Sequence, residues 1–278
     1  MFKKSNKNIF EAFLLVEDES CVVVVYSKET GKLQFAKVLS GANAVAFLAT
    51  LEQELGGVVV YNLILSLKDY CSIELEQSVD YIGALDTALP WLCVDYLERS
   101  PDNYYYSDAT SIDAKKPRVY AALKDRVKTI IQRIKLENSK IKQLLFYDVC
   151  ISNYVSQLPE ISQPFCLLVA SPQQVRLLQV SLGSLRQLAN LPTAAAEGYE
   201  VQLFLNQLKA LCKLQSSEKS MLVVLNNTLD KLPELSQETL WQYHSLELSK
   251  TDKLFEDVKR EEQHLLAAIL GAGKYYYG

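Results

Sequence analysis

The feature that most constrains the fold is an internal repeat, in which one order of apolar runs and polar turns occurs twice. In the first copy, Leu14-Leu15-Val16 precedes a polar turn, a valine-rich run over Cys21–Tyr26 and a turn that contains Gly31. In the second copy, Leu167-Leu168-Val169 precedes a polar turn, an apolar run over Val175–Leu182 and another glycine-containing turn. Because β-branched residues favour strands and glycine favours tight turns, each copy predicts three consecutive strands.

Each copy then continues into a helix and a further strand. In the first, Ser40 to Asn43 can cap a helix that runs to about Leu55, where Gly56-Gly57 ends it, and Val58–Leu67 is the fourth strand. In the second, a long helix is predicted over Ala194–Leu214 and a short buried strand over Met221–Leu225. A duplicated strand–strand–strand–helix–strand unit predicts an α/β protein with two halves that face a shared cleft.

The segment between the two copies does not share their pattern, and a further strand and helix are predicted before the second copy and again at its end. The segments predicted are strands at Tyr70–Glu76, Arg118–Ala122, Gln143–Tyr147 and Thr239–Leu248, and helices at Tyr81–Leu97, Lys124–Leu136, Cys150–Leu158 and Lys253–Leu270. Pro101–Pro117 is polar and reads as a long loop or a weak strand pair. The predicted division is a first half at 1–162, with an inserted subdomain at about 68–142, and a second half at 163–278, because Pro159–Pro164 is the best boundary.

Composition excludes several functional classes. A net charge of −4 and a pI near 5.4 argue against a broad nucleic-acid footprint. No apolar stretch approaches the roughly 20 residues that span a bilayer, so no transmembrane segment is predicted. The six cysteines form no CxxC pair and the two histidines have no ligand spacing. These patterns favour free thiols in a reducing compartment and no metal site.

Several segments resemble the PilM/MshI family of pilus-assembly proteins, within the actin-like ATPase superfamily whose halves share a ribonuclease-H-like core. Leu145-Phe-Tyr-Asp148-Val149 is similar to the family's "IDI" step, and Glu200-Val201-Gln202 to its "EIQR" helix. The other matching segments are Leu63–Tyr70, Ala84-Leu85 with Ala88–Trp91, and His264–Ala272, which is similar to the family's closing helix. The cytoplasmic region of the type II secretion protein GspL is a more distant match. The resemblance implies an actin-like fold.

The same resemblance implies where a nucleotide would bind, and the chain departs from the family pattern there. Actin-like ATPases hold phosphates with Asp-x-Gly-like turns, because glycine lets backbone N–H groups approach and the carboxylate positions a hydrated metal. Here the first turn carries Asp18 and Ser20 without glycine, the second carries Ser171 beside Pro172, and the third has Asn226-Asn227 in place of glycine. These five positions, Asp18, Ser20, Ser171, Asn226 and Asn227, are degenerate, so we expect no nucleotide cofactor, no metal and no catalytic residue.

The resemblance implies a non-catalytic scaffold of a type IV or mannose-sensitive pilus, or of a related secretion platform. Such a protein is cytoplasmic and peripheral to the inner membrane. It receives the cytoplasmic N-terminal segment of a bitopic membrane protein, alongside other platform components, in a groove that involves the region from Tyr70 to Ser139. The alternative is an active actin-like ATPase that binds ATP and polymerises or switches conformation.

Other chemistries on this fold have few candidate residues. Glu11 and Asp148 are the carboxylates that a ribonuclease-H-type nuclease would use, and Asp148 is the base that a small-molecule kinase would use. The runs Tyr104–Tyr106 and Tyr275–Tyr277 are candidate docking sites, since tyrosine supplies rigid amphipathic contact area. Half-buried strand residues in the first run and a flexible tail in the second are the alternative interpretations.

Overall fold

The computed structural model describes most of the chain, and the repeat in the sequence appears in it as two sheets of identical topology. The described residues are 8–75, 85–108, 118–137, 140–162, 164–170, 174–181, 184–192, 220–225 and 241–277. The helix predicted over 194–214 lies outside these residues. The division of the chain at 162/163 stays a prediction.

The first sheet is built from the first copy of the repeat. Its strands are β1 (Ile9–Val16), β2 (Ser20–Ser27), β3 (Leu33–Ser40), β4 (Val58–Leu65) and β8 (Ile141–Phe146), in the order β3-β2-β1-β4-β8. The first three strands form an antiparallel meander, and β4 and β8 add in parallel. Residues 21–26 of β2 are buried without alternation, as its valine-rich sequence predicts for a strand covered on both faces.

The second sheet repeats this arrangement. It contains β9 (Phe165–Ala170), β10 (Gln174–Ser181), β11 (Ser184–Pro192), β12 (Ser220–Leu225) and β13 (Trp241–Leu246), in the order β11-β10-β9-β12-β13. Its meander is antiparallel and β12 and β13 add in parallel, so each strand has a counterpart in the first sheet. The internal repeat is therefore a repeat of topology.

Between β4 and β8 the chain forms a separate small sheet, which we call the inserted sheet. Its strands are β5 (Cys71–Glu74), β6 (Tyr104–Asp108) and β7 (Arg118–Leu123), in the antiparallel order β5-β7-β6. Helix α2 (Leu85–Leu92) covers one face of it and shares a satellite core with it, to which Ile73, Leu89, Cys93, Tyr104 and Val119 belong. Helix α3 (Lys124–Arg133) follows β7 directly. The polar segment after Pro101 thus contains a strand, and Pro90 lies within α2.

Three further helices complete the described structure. Helix α1 (Gly41–Leu55) follows β3, α4 (Tyr147–Ser156) follows β8, and α5 (Gln263–Tyr277) is the last element of the described chain. Ser40 stands at the N-cap of α1, as predicted, but its side chain makes no capping bond; instead the Gly41 N–H donates to the Glu19 carbonyl at 3.1 Å. At the other end Gly56 has φ +63°, the left-handed conformation that a helix-ending glycine supplies at low cost.

Helices α4 and α5 pack tightly against each other and belong to the main core with both sheets. A Cβ at Gly271 would lie 2.0 Å from the Cys150 carbonyl oxygen and 2.8 Å from the Tyr154 backbone nitrogen, so only glycine allows this approach. The Tyr147 hydroxyl also donates to the His264 carbonyl at 3.4 Å. The closing glycines therefore serve close packing.

The prediction for the C-terminal region was partly wrong. The helix predicted over Lys253–Leu270 begins at Gln263, because residues 253–255 and 260–262 form separate 3₁₀ turns. It also continues through Gly271 and Gly273 to Tyr277, so the tyrosine run is an ordered helix end rather than a flexible tail. The Tyr277 ring stacks on Tyr26, with centroids 5.3 Å apart.

Candidate functional site

The candidate site lies where β1 turns into β2, the place at which the resemblance puts the first phosphate-binding turn. The turn is closed by a hydrogen bond from the Glu17 N–H to the Ser20 carbonyl at 2.8 Å. Asp18 is exposed at its tip, and Ser20 is already the first residue of β2, paired with Ser40 of β3. The degenerate positions Ser171, Asn226 and Asn227 lie outside the described residues.

Two cations from the segment that follows β4 form ion pairs with the carboxylates of this turn. Lys68 Nζ lies 3.2 Å from Glu17 Oε2 and 2.5 Å from Asp18 Oδ2. Arg133, in α3, donates to the Glu17 carbonyl at 3.1 Å and lies 3.5 Å from Asp18 Oδ1. The hydrogen bond from Lys68 lowers the pKa of Asp18, whereas burial raises the pKa of Glu17. The negative charge of the turn is thus largely neutralised within the chain.

A second ion pair extends this network toward the inserted sheet. Asp69 is buried, accepts from the Ser66 hydroxyl at 2.7 Å and lies 3.3 Å from Arg126 Nε. Lys68 and Asp69 belong to the 3₁₀ turn that leaves β4, and Arg126 and Arg133 belong to α3. Cations of the insertion therefore pair with carboxylates at the ends of β1 and β4.

The most deeply buried charges form a bridge between the two sheets. Arg176, on β10, donates to Asp148 Oδ2 at 2.7 Å and to the Leu67 carbonyl at 2.6 Å. Its guanidinium carbon also lies 4.8 Å from the centroid of the Tyr70 ring. The side chains of Arg176 and Asp148 are 2% and 0% exposed, respectively. One arginine of the second sheet thus contacts the 3₁₀ turn that follows β4, the residue that precedes β5 and the first turn of α4.

The electrostatics of this bridge are those of a structural ion pair. Burial raises the pKa of Asp148, and the Arg176 guanidinium opposes that rise. Burial works to lower the pKa of Arg176, but Tyr70 and Asp148 more than offset it and the pKa is raised. The Tyr70 hydroxyl accepts from the Asp148 N–H at 3.1 Å, and burial raises the pKa of Tyr70 strongly. Asp148 is therefore a poor candidate for a catalytic base, because its carboxylate is buried and a substrate could not reach it.

Glu11 is also engaged inside the structure, with partners that differ from those of Asp148. It is buried on β1, where it pairs with Lys142 at 2.6 Å and accepts from the Tyr277 hydroxyl at 2.5 Å. Burial alone raises the pKa of Glu11, but the hydrogen bonds from Lys142 and Tyr277 outweigh it, so the pKa is lowered. Within the described part of the chain, no group of three His, Cys, Asp or Glu side chains is arranged to hold a metal ion.

In the described part of the site, the groups that a nucleotide and its metal would use already have partners within the chain. A phosphate-binding turn must offer free backbone N–H groups and a carboxylate for the hydrated metal. Here the Glu17 N–H is used within the turn, while Lys68 and Arg133 occupy the Asp18 carboxylate. Sequence reasoning found the carboxylates but missed their partners. For Asp148, the available signal was Arg176 inside the apolar run of β10, because a charged residue in a buried strand requires a partner.

A second surface of interest lies on the inserted sheet. Strand alternation places Tyr104 and Tyr106 on the face covered by α2, and Tyr105 on the opposite face with Ala122, which belongs to the main core. Tyr105 is 40% exposed, and Lys124 Nζ lies 5.5 Å from its ring centroid. Strand β6 is an edge of the inserted sheet as far as the described residues show. This combination provides an edge strand and an aromatic side chain where the insertion meets the core.

Comparisons with known proteins define the fold. No protein-family model matches the chain, and no curated protein matches it significantly. Among solved structures it is similar to the cytoplasmic domain of EpsL, an inner membrane component of the type II secretion system of Vibrio cholerae, with a TM-score of 0.58 and 12% identity over 95% of this chain and 94% of that one. It is also similar to a chain of the PilM–PilN type IV pilus biogenesis complex, with a TM-score of 0.59 and 13% identity over 95% and 98%.

A third similar structure is described as having the actin-like ATPase fold. It is a protein of unknown function with an actin-like ATPase fold from Bacteroides thetaiotaomicron, with a TM-score of 0.54 and 12% identity over 96% of this chain and 98% of that one. The chain therefore has the actin-like ATPase fold that its sequence predicts. No helix among the described residues is long and apolar enough to cross a membrane.

Proposed function

We propose that this protein is a non-catalytic component of an inner-membrane assembly platform of the type IV pilus or type II secretion kind, mannose-sensitive pili included. It acts at the cytoplasmic face of the membrane, where it binds the extended cytoplasmic N-terminal segment of a bitopic membrane protein. The observation that carries the proposal is similarity over nearly the whole length of both chains to EpsL and to the PilM–PilN complex, two structures from such machines.

The state of the first hairpin supports a role without nucleotide chemistry. Lys68 and Arg133 neutralise Asp18, and Arg176 neutralises Asp148, so the candidate acidic groups already have internal cations. Magnesium would have to displace these contacts before it reached the carboxylates. These ion pairs instead connect the insertion to the end of β1, and the second sheet to α4 and the base of the insertion.

The edge of β6 is the binding surface that we propose for the membrane protein's segment. An extended peptide that adds to a sheet edge gains backbone hydrogen bonds, and alternate side chains enter neighbouring pockets. Tyr105 presents a large ring beside this edge on the face turned toward the core. Aromatic side chains commonly contribute most of the binding free energy at protein interfaces.

A pull-down from detergent-solubilised membranes tests the partner. We expect the tagged wild-type chain to recover a single-pass pilus or secretion protein with a short cytoplasmic N-terminal segment. A synthetic peptide of that segment should bind the wild type, and Tyr105→Ala should weaken binding by roughly tenfold or more. Ile9→Ala is the matched control, because Ile9 is similarly exposed, at 42%, but lies on β1. Recovery of no such component, or equal binding by Tyr105→Ala, would contradict the proposal.

Thermal unfolding with and without magnesium-ATP tests the absence of nucleotide binding. A ligand at about 1,000 times its Kd stabilises the folded state by about 4 kcal/mol, which would raise the Tm by many degrees. We expect no shift beyond that of magnesium alone. A clear rise that requires ATP would instead support the alternative, an active ATPase that polymerises or switches conformation.

A further inference from the structure

We propose that Trp91, Val94 and Tyr96 form a second docking surface, which binds a positively charged amphipathic segment of a protein partner. We call these three residues the Trp91 patch. It goes beyond the proposed function, because it lies on the α2 side of the inserted sheet, whereas Tyr105 lies on the other face.

The patch arises from the way α2 packs. Leu89 and Cys93, one helical turn apart, are 1% and 0% exposed and point into the satellite core. The outward side of the same segment carries Trp91, 77% exposed, and the following 3₁₀ turn carries Val94 and Tyr96 at 45% and 48%. Single exposed apolar side chains are ordinary on protein surfaces, but here three of them lie within six residues of one short segment.

Charges around the patch select the kind of partner. The exposed charged side chains that follow Trp91, up to Asn103, are Asp95, Glu98, Arg99 and Asp102, so acids outnumber bases by three to one. Lys124 lies over the Tyr105 ring, on the other face of the inserted sheet, and its ammonium is bound to the Asp102 carbonyl at 2.7 Å. The exposed segment from Trp91 to Asn103 therefore combines an aromatic anchor with an excess of acidic side chains, which we call the acidic rim.

This combination favours one occupant over others. Anionic lipid and nucleic acid would be repelled by the acidic side chains. A symmetric dimer through the patch would place the same acidic rim of two copies together, which is also unfavourable. A helix with aliphatic residues on one face and Lys or Arg beside them would bury Trp91 and pair with Asp95 and Glu98.

A pair of designed peptides tests the proposal. The probe is a labelled amphipathic helix with leucine on one face and lysine on the other, and its matched control replaces each lysine by glutamate. Fluorescence anisotropy measures binding to the full chain at about 0.1 M salt, where surface charges are only partly screened. We expect the lysine peptide to bind and the glutamate peptide not to bind.

Variants separate this site from general attraction to an acidic protein. Trp91→Ala should weaken the lysine peptide by about tenfold or more, and the double change Asp95→Lys/Glu98→Lys should abolish its binding and favour the glutamate peptide. Ile9→Ala should bind like the wild type. Unchanged unfolding midpoints will show that the variants fold, since all substituted side chains are exposed or lie at a surface strand end.

Several outcomes would overturn the inference. Equal binding by Trp91→Ala and the wild type would show that the peptide binds elsewhere by charge alone. Trp91-dependent association with phosphatidylglycerol vesicles would identify a membrane surface instead, and Trp91-dependent dimerisation in sedimentation would identify a second copy. None of these results depends on the Tyr105 surface, so failure here and failure of the proposed function are distinguishable.

Discussion

Arg176→Met removes the cation that Asp148 contacts while leaving a side chain of similar length in β10. In the wild type the guanidinium donates to Asp148 Oδ2 and to the Leu67 carbonyl and packs on the Tyr70 ring. Methionine preserves much of the packing but donates no hydrogen bond. The carboxylate then stays fully buried beside apolar and aromatic groups without its counter-ion.

The expected loss is large because the pair is inaccessible to water. Breaking a buried pair by removing one partner typically costs about 3–5 kcal/mol, since an uncompensated charge remains. That is a substantial part of the roughly 5–15 kcal/mol that stabilises a typical domain. Replacing both members with apolar residues of similar size leaves no buried charge, so Arg176→Met/Asp148→Leu should be less destabilised than the sum of the two single variants.

Urea unfolding followed by circular dichroism measures these differences, with all four members of the double-mutant cycle at the same pH. The pH dependence provides an independent check. In Arg176→Met the folded-state pKa of Asp148 should rise further above the unfolded value of about 3.9, so the folded state binds the extra proton. The stability of the variant should then fall as pH rises from about 4, and its deficit against the wild type should be smaller at pH 5 than at pH 7.5.

Additive losses in the cycle would refute this account of the bridge. So would a single-variant loss below about 1 kcal/mol, which is the range of an exposed ion pair. A deficit that is independent of pH would show that lost packing on Tyr70, rather than the unpaired carboxylate, causes the destabilisation.

Three further predictions concern packing and ionisation. Gly271→Ala should destabilise the protein by about 1–3 kcal/mol or more, because its Cβ would meet the Cys150 carbonyl at 2.0 Å, whereas Gly41→Ala, with no atom within 4 Å, should be neutral or stabilising in the same denaturation assay. Burial raises the pKa values of Tyr26 and Tyr61 to about 12, so the stability that these two neutral phenols contribute should be fully present below pH 10 and lost as pH rises toward 12. Phenolate absorbance should show a late titration step, and Tyr26→Phe should reduce that step. A single step near pH 10 would contradict this prediction. Tyr277→Phe should cost roughly 1 kcal/mol at neutral pH by removing the hydrogen bond to Glu11. Because the pKa of Glu11 is lowered in the folded state, its contribution to stability is present above about pH 4.5 and is lost as pH falls further. The Tyr277→Phe deficit should therefore shrink in acid, and a constant deficit would argue against the bond.

The strands of both sheets were predictable because their signals are local. Alternating turns and apolar runs located β1 to β4 within a residue or two, and the positive φ of Gly31 and Gly56 follows from the turn and the helix end in which they stand. The start of α5 was not predictable in this way. Lys253 to Leu270 has helix-compatible residues throughout, and the separate 3₁₀ turns before Gln263 go with side-chain contacts that the pattern does not reveal, such as the Gln263 amide donating to the Phe255 and Val258 carbonyls.

Of the candidate site, the sequence predicts the first turn, which is a local feature, but not the residues that pair with it. The missing glycines of the first hairpin are visible in the sequence, since a turn over Glu17–Ser20 is a local feature. Its partners are not local: Lys68 follows β4, and Arg133 lies on a helix of the insertion. Pairing across such distances depends on topology, so a sequence shows that Asp18 is charged but not that it is neutralised.

These partners also explain why the insertion belongs to the site. Lys68, Arg126 and Arg133 all come from the segment between β4 and β8, and they bind carboxylates at the ends of β1 and β4. Arg176 adds a contact from the second sheet to the base of the same insertion. If nucleotide exchange controlled the angle between the halves, the Arg176 contacts, which join them, would have to break in every cycle, at the cost of unpairing the buried Asp148. The charges therefore favour a fixed arrangement of insertion and halves, which is what a docking surface built on the insertion requires.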